Sequence, residues 1–386
     1  MNVSCAPSDL LVFCHLRWDF VFQRPQHLMS RFVSHRRVYF IEEPHLDKVT
    51  HPKIELRQTQ EGVTVVAARV PETFTHEQQM QTQKNLLDRL LEDEMIENYS
   101  AWYYTPMALH FSSHLNAEIT IYDCMDELSK FKGAPQALIH QESELLQKAD
   151  LVFTGGHSLY EAKKDRHNNI HPFPSAIDAA HFAQARTQQP DPDDQKDIPF
   201  PRLGFVGVID ERMDIDLLAK MAERRPQWQF IMIGPVVKID PATLPQRPNI
   251  HYLGMKKYAE LPAYLANWNC ALMPFAKNEA TRFISPTKTP EYLAAGLPVI
   301  STSIRDVVHP YGVQKLVAIA DDADTFIAAA ENIFQTFDKS THWPRHDEFL
   351  QHISWDETWG KMAALEYELY RKKIDQKFSK MYGVLE

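Results

Sequence analysis

Ser285-Pro286-Thr287-Lys288-Thr289-Pro290-Glu291-Tyr292-Leu293-Ala294-Ala295-Gly296-Leu297-Pro298-Val299-Ile300 holds a helix, its stop signals and the start of a buried strand. Gly296 suits the left-handed position just past a helix end, and Pro298 follows where a helix cannot continue. The start has two readings. Ser285 caps with Pro286 first, which leaves Pro290 a turn inside and disturbs a bond; or Thr289 caps and Pro290 is first. In both, Ser285–Thr289 gathers spare backbone N–H groups at the positive end of the helix, which favours an anion such as a diphosphate. Lys288 adds a full charge there. For the helix alone that lysine costs about 0.3 kcal/mol, and an anion reverses the sign; a solvated lysine on an ordinary helix start is the competing reading. Glu291, within one turn, is unsuited to phosphate but accepts two hydrogen bonds from a ribose diol.

The surrounding chain alternates strands and helices, the pattern of a parallel α/β sheet. After residue 200 the strands are Leu203–Val208, Trp228–Ile233, Ile250–Leu253, Ala271–Met273 and Val299–Ser301. Helices are expected over Asp214–Arg224, Tyr258–Asn267, Pro286–Ala295 and Asp324–Gln335. The first half repeats the pattern, with strands at Leu10–Cys14, Val38–Ile41, Val63–Ala67, Ala101–Tyr104, Ile119–Tyr122 and Leu151–Thr154. A helix is expected from Pro25 to about Val33 and another over Gln136–Ala149. Between the halves, Ala185–Pro201 is polar, acidic and proline-rich, a linker signal. Ligands of open α/β sheets bind beyond the carboxyl ends of the strands, so two such halves place a site in the cleft between them. Ser354–Glu357 fits a capping box, and Trp355, Trp359, Met362, Leu365 and Leu369 recur at helical spacing. That stripe reads as packing for a long terminal helix docked on something large.

Composition narrows the function. At 386 residues, 44% apolar and 24% charged, the chain is an ordinary globular protein with enough length for two domains. Acidic residues outnumber basic ones by 51 to 41, with no long basic run, which argues against nucleic acid. The opening MNVSCAPSDLLVFCHL does not read as a secretory signal, and no transmembrane helix is expected. Cys5, Cys14, Cys124 and Cys270 are scattered and read as reduced thiols in the cytoplasm. The pairs Asp191/Asp193 and Asp214/Asp216 suit a linker and a helix start, so no metal is expected. The 18 histidines include no His-x-x-x-His or His-Glu-x-x-His pattern.

SPTKTPEYLAAGLPVIST resembles the donor-binding segment of family four glycosyltransferases, which are retaining GT-B enzymes. More closely, the chain resembles a bacterial branch with the element Gln23-Arg24-Pro25-Gln26-His27. The segments Tyr122–Glu127, Phe153–Leu159, Phe205–Asp210 and Ser354–Trp359 resemble the same branch, so the likeness runs from about Leu11 to Trp359. It implies two Rossmann-like domains facing across a cleft: an acceptor domain at 1–185, a linker at 186–200, a nucleotide-sugar domain at 201–353, and a helix at 354–386 crossing back to the first domain. It implies transfer of a hexose-type sugar from a nucleotide diphosphate sugar, UDP favoured over GDP, to a hydroxyl of a glycan or lipid-linked acceptor in cell-envelope polysaccharide synthesis. No cofactor beyond the donor substrate is implied.

The resemblance also assigns residues. Donor contacts fall on Gly207, Met255, Ser285, Thr287, Lys288 and Glu291. Of the family's two glutamates eight positions apart, Glu291 matches the ribose-binding second, while the first is replaced by Phe283. Asn278 and Thr281, with Arg17 and His27, are the sugar or acceptor candidates. Arg212 and Lys288 would stabilise the leaving diphosphate, Arg212 having a salt bridge to a neighbour as its alternative. Asp126 would orient or deprotonate the acceptor, or else cap the turn before Leu128–Phe131. Front-face transfer lets the leaving phosphate itself take the acceptor proton. Rival readings are a nucleotide-sugar epimerase on the same scaffold, a nicotinamide dehydrogenase, for which Gly204-x-x-Gly207 lacks the fingerprint, and a non-catalytic carbohydrate-binding protein. Lys163, Lys164 and Arg166, and Arg371–Lys373, are candidate contacts with the inner face of the plasma membrane, or solvated surface.

Overall fold

The computed structural model describes residues 6–382 and contains two sheets. The first is built from β1 (Asp9–Phe13), β2 (Arg37–Ile41), β3 (His45–Asp47), β4 (Lys53–Gln58), β5 (Thr64–Pro71), β6 (Tyr99–Tyr103), β7 (Ile119–Cys124), β8 (Leu151–Thr154) and β9 (Ile170–Pro172). Its order is β3-β5-β2-β1-β6-β7-β8-β9, with β4 pairing antiparallel to the outer side of the run through β5. The second has β10 (Arg202–Val206), β11 (Gln229–Ile233), β12 (Ile250–Gly254), β13 (Cys270–Met273), β14 (Val299–Ser301) and β15 (Ala318–Ile319), all parallel, in the order β12-β11-β10-β13-β14-β15. Strand order reverses at β1 in the first sheet and at β10 in the second. Those switch points open a crevice at their carboxyl ends. The central strands are apolar without alternation because helices cover both faces.

The last helix, Trp355–Tyr382, leaves the second domain and lies along the first. Trp355, Met362 and Tyr370 are buried in the cluster that holds Leu10, Val12, Trp102 and Phe153, which is the packing role its spacing predicts. Glu366 interrupts the stripe because it has a partner: Arg36 binds it with two bonds of 2.8 and 2.7 Å, and the Ser100 hydroxyl adds a third. Ser354 Oγ accepts the Glu357 N–H at 3.1 Å, half of the expected capping box; the Glu357 carboxylate turns to Lys361 at 3.2 Å instead of reaching back.

Other expectations need correction. The 285–300 helix begins at Lys288, between the two starts read from the sequence, and its Thr287 cap residue offers no side-chain bond. Pro290 is its third residue, within the first turn, where the missing N–H has no intrahelical acceptor to lose. Gly296 takes φ 79°, and the Leu297 N–H reaches back to the Tyr292 carbonyl at 3.0 Å, closing the helix end as expected. The polar stretch between the sheets is no free tether. Buried Gln195 donates to the Tyr264 carbonyl and accepts from the Trp268 indole, while Arg202 binds Asp191 at 2.8 Å, so the stretch is fastened to the second domain. β3, β4 and the helices His76–Asp93 and Lys339–Leu350 are additions to the sequence reading.

Removing the Glu366 carboxylate leaves the Arg36 guanidinium buried without a counter-charge. Glu366→Ala is therefore expected to destabilise the first domain by about 3–5 kcal/mol. Urea unfolding followed by circular dichroism measures it, and a loss below about 1 kcal/mol contradicts the pairing.

Candidate functional site

The loops that leave β1 and β10 face each other, and two contiguous cavities open between them. The inner one, of about 170 Å³, is lined from the first domain by Phe22, Arg24, His27 and Asp126, and from the second by Gly207, Arg212, Ser285–Lys288 and Glu291. The outer one, of about 850 Å³, lies between Trp18–Phe22 and the β4–β5 hairpin tip Gln58–Glu61 on one side, and Gly234–Pro235 and Met255–Leu261 on the other. Gly207 and Lys288 line both.

On the second-domain wall, Lys288 Nζ donates to Glu291 Oε2 at 2.5 Å. Glu291 is buried, and burial raises its pKa against the opposing pull of Lys288. An anion that enters here competes with Glu291 for the ammonium. Arg212 is chelated by Asp210, with bonds of 2.9, 3.1 and 2.8 Å, so the salt-bridge reading is realised, but at the wall of the cavity and not on open surface. Burial works against the Arg212 charge, and the Asp210 bonds more than offset it, lifting the pKa. The Gly207 N–H donates to the Ile233 carbonyl at 2.9 Å, which keeps the loop after β10 flat against the end of β11. Met255 lies exposed at the rim of the outer cavity.

The first-domain wall explains the Gln23–His27 element. Gln26 closes the loop by accepting the Gln23 N–H at 3.1 Å and donating to the Trp18 carbonyl at 2.8 Å. Arg24 forks onto buried Asp123 at the end of β7, at 2.8 to 3.1 Å, and donates to the Phe173 carbonyl. His27 stacks on Trp355, with centroids 4.7 Å apart, so the terminal helix buttresses the cavity. Burial, then the nearby charges of Arg31 and Lys288, push its pKa down to about 3, and the imidazole is neutral. Asp126 faces the inner cavity. The turn Leu128–Lys130 starts after Glu127 without a side-chain cap, so Asp126 does not cap it. Burial raises the Asp126 pKa; Arg212 pulls it down from across the cleft, with Asp210 and Arg24 acting in opposite directions.

Three predicted contacts sit elsewhere. Arg17 lines neither cavity; Glu42, the Glu43 carbonyl and His45 hold it, because Glu42 folds the loop onto β2 by also taking the Trp18 N–H at 2.6 Å. Asn278 and Thr281 satisfy each other in a closed turn, with N–H bonds of 3.0 and 3.1 Å in both directions, and line a separate cavity behind the donor loop. Phe283 packs on the apolar cluster of the first domain, so a hydrophobic contact occupies the place of the family's first glutamate. The hairpin tip and Arg24 are site walls that the sequence reading did not assign.

Lys163 is buried between Glu127 and Glu142, each at 2.6 Å, and Lys373 binds Asp150 at 2.6 Å, so these two lysines are engaged within the protein, while Lys164, Arg166, Arg371 and Lys372 lie at the surface. Among the described residues no helix is long and apolar enough to cross a membrane, and no group of three metal-ligating side chains is assembled. Asp191 serves Arg202 and Asp214 caps the helix Ile215–Arg224. Cys14, Cys124 and Cys270 are buried and unpaired; Cys5 lies outside the described residues.

Residues 200–336, most of the second domain, match the family described as Glycosyl transferases group 1. A Bacillus subtilis (strain 168) protein, TuaH, whose name assigns it to glycosyl transfer in teichuronic acid biosynthesis, is 25% identical over 258 residues. That stretch covers 61% of this chain and 64% of the relative's length. The structure is similar to sucrose-phosphate synthase from Thermosynechococcus elongatus, with a TM-score of 0.70 at 13% identity over 95% of this chain and 100% of that one. It is also similar to Anabaena HepE, solved with UDP and glucose, with a TM-score of 0.64 at 12% identity over 93% and 98% of the two chains. The chain has the GT-B fold, and the epimerase reading gains no support from these likenesses.

Lys288→Ala is expected to weaken UDP binding by about tenfold or more, since a charge-assisted bond contributes about 1.5–3 kcal/mol, while uridine binding stays unchanged. Calorimetric titration of both ligands checks this, and equal losses contradict a phosphate contact. Glu291→Ala is expected to weaken both together.

Proposed function

We propose that this protein transfers a hexose-type sugar from a nucleotide diphosphate donor, UDP-linked in preference to GDP-linked, to a hydroxyl of a glycan or lipid-linked acceptor, with retention at the anomeric carbon. The observation that carries the reading is the placement of Lys288, Arg212 and Glu291, on a group 1 transferase domain, across one small cavity from Asp126. The likeness to TuaH supports a cell-envelope polysaccharide as the product class.

In this reading the base enters the outer cavity beside Met255 and Gly207, and the ribose diol takes the place of Lys288 at Glu291. Lys288, released, and Arg212, fixed by Asp210, flank the diphosphate together with Ser285 and Thr287. Both cations face charge that grows as the diphosphate leaves, which is where preorganised groups accelerate reaction most. The glycosidic bond to phosphate breaks as the acceptor oxygen bonds the anomeric carbon on the same face. The acceptor proton passes to the departing phosphate oxygen, so the two substrates balance without a protein nucleophile. Asp126 accepts a hydrogen bond from the acceptor hydroxyl and orients it, and neutral His27 lies within the same wall as a sugar contact. In this reading the reaction runs in the cytoplasm, where nucleotide-sugar donors are made.

A thermal-shift panel of UDP- and GDP-hexoses tests the assignment. A donor at a hundred times its Kd stabilises by about 2.7 kcal/mol, so UDP-hexoses should raise Tm clearly and GDP-hexoses less; no shift from any nucleotide contradicts it. Asp126 gives a second test. Its carboxylate is the orienting form and its pKa is raised, so activity should fall on the acid side at a higher pH than an ordinary aspartate would give. Asp126→Asn should remove that limb and lower kcat by about a hundredfold with UDP affinity unchanged; a retained limb assigns it to another group.

A further inference from the structure

We infer that Gly155-Gly156-His157-Ser158 is the register point between the two halves of the site, and that Ser158 and Asp306 are a positioning pair that holds the cleft closed. The segment joins β8 of the first domain to the helix His157–Lys163, and Asp306 comes from the second domain, after β14. The Ser158 N–H donates to Asp306 Oδ1 at 3.1 Å, and the Ser158 hydroxyl donates to the same oxygen. Both side chains are buried, and among the described residues the hydrogen bonds that reach the Asp306 carboxylate come from Ser158. A carboxylate of one domain thus caps a helix of the other.

The two glycines fix how closely the domains approach. A Cβ at Gly156 would lie 2.4 Å from Asp306 Oδ2 and 2.6 Å from Ser285 Cβ. Its φ of −175° is extended backbone that any residue adopts, so glycine is needed there for the contact and not for the conformation. A Cβ at Gly155 would lie 2.4 Å from the carbonyl oxygen of Met125, the residue before Asp126. One thickness of backbone therefore separates the segment carrying Asp126 from Ser285, where the loop to Lys288 and Glu291 begins. The spacing between the acceptor-orienting carboxylate and the donor groups is set at this point. The contact is polar, and a separated carboxylate and helix N–H both regain water, so it suits a latch that opens and closes. A further bridge, from the Lys132 N–H to Glu211 at 3.1 Å, is exposed.

The kinetic consequence rests on the proposed transfer reaction, whereas the conformational one does not. Small-angle X-ray scattering of the ligand-free protein should give a larger radius of gyration for Asp306→Ala and for Gly156→Ala than for the wild type. Asp306→Asn, which keeps an acceptor for the Ser158 N–H, should stay near the wild type, and Ser158→Ala is the milder variant if the others fail to fold. In hydrolysis of UDP-glucose, followed as UDP release, Asp306→Ala should lower kcat about tenfold or more while the Kd for UDP changes less than about twofold. Unchanged scattering in Asp306→Ala and Gly156→Ala overturns the latch. A loss of UDP affinity with kcat intact overturns the registering role. A wild type that neither binds nor hydrolyses the nucleotide sugar fails the functional reading and leaves the latch to be decided by scattering.

Discussion

A carboxylate buried as deeply as that of Glu291 needs a cation, and Lys288, one helical turn away, supplies it. This bond is the constraint around which the site is arranged. Glu291 is fixed because Tyr292, its neighbour, is buried and bonds the Val206 N–H at the end of β10, which ties the helix to the switch point of the second sheet. Lys288 is confined to the two cavities that meet at its side chain. A ligand that is to reach both groups must bring an anion for the lysine and hydroxyl donors for the glutamate. A nucleoside diphosphate carries both at the right order of separation.

The opposite wall is held by equally specific bonds. Arg24 on Asp123 and His27 on Trp355 anchor the loop after β1 to the sheet behind it and to the terminal helix. The terminal helix therefore serves function through packing: its start fixes one wall of the cavity while its middle is pinned by Arg36 and Glu366. Rigid walls on both sides allow a small relative movement of the domains to make or break the site.

Much of this was legible in the sequence. Unalternating apolar runs located the central strands, because strands covered on both faces need no polar side. Gly296 and Pro298 marked the helix end, and Lys288 and Glu291, singled out from the same segment, line one cavity. The helix His76–Asp93 was missed because Leu86, Leu87 and Leu90 are almost its whole apolar face, although Thr75 and Gln78 form a capping box that gave it away. β4 was missed because it is an edge strand with no buried residue, which leaves little apolar signal. Arg17, Asn278 and Thr281 were misplaced because their hydrogen bonds are satisfied away from the cavities, Arg17 by the segment after β2, Asn278 by its own turn and the Glu211 carbonyl, and Thr281 within that turn, and such bonds leave no periodic trace. Arg24 failed to stand out because its partner Asp123 is far away in sequence.

The most direct test of the account is a crystal structure of the protein soaked with UDP. The account predicts the diphosphate against the start of the helix Lys288–Ala294, with Lys288 Nζ moved from Glu291 to a phosphate oxygen and the ribose hydroxyls on the Glu291 carboxylate. Density for the nucleotide away from that helix, or a Lys288–Glu291 bond that persists beside a bound nucleotide, would contradict it.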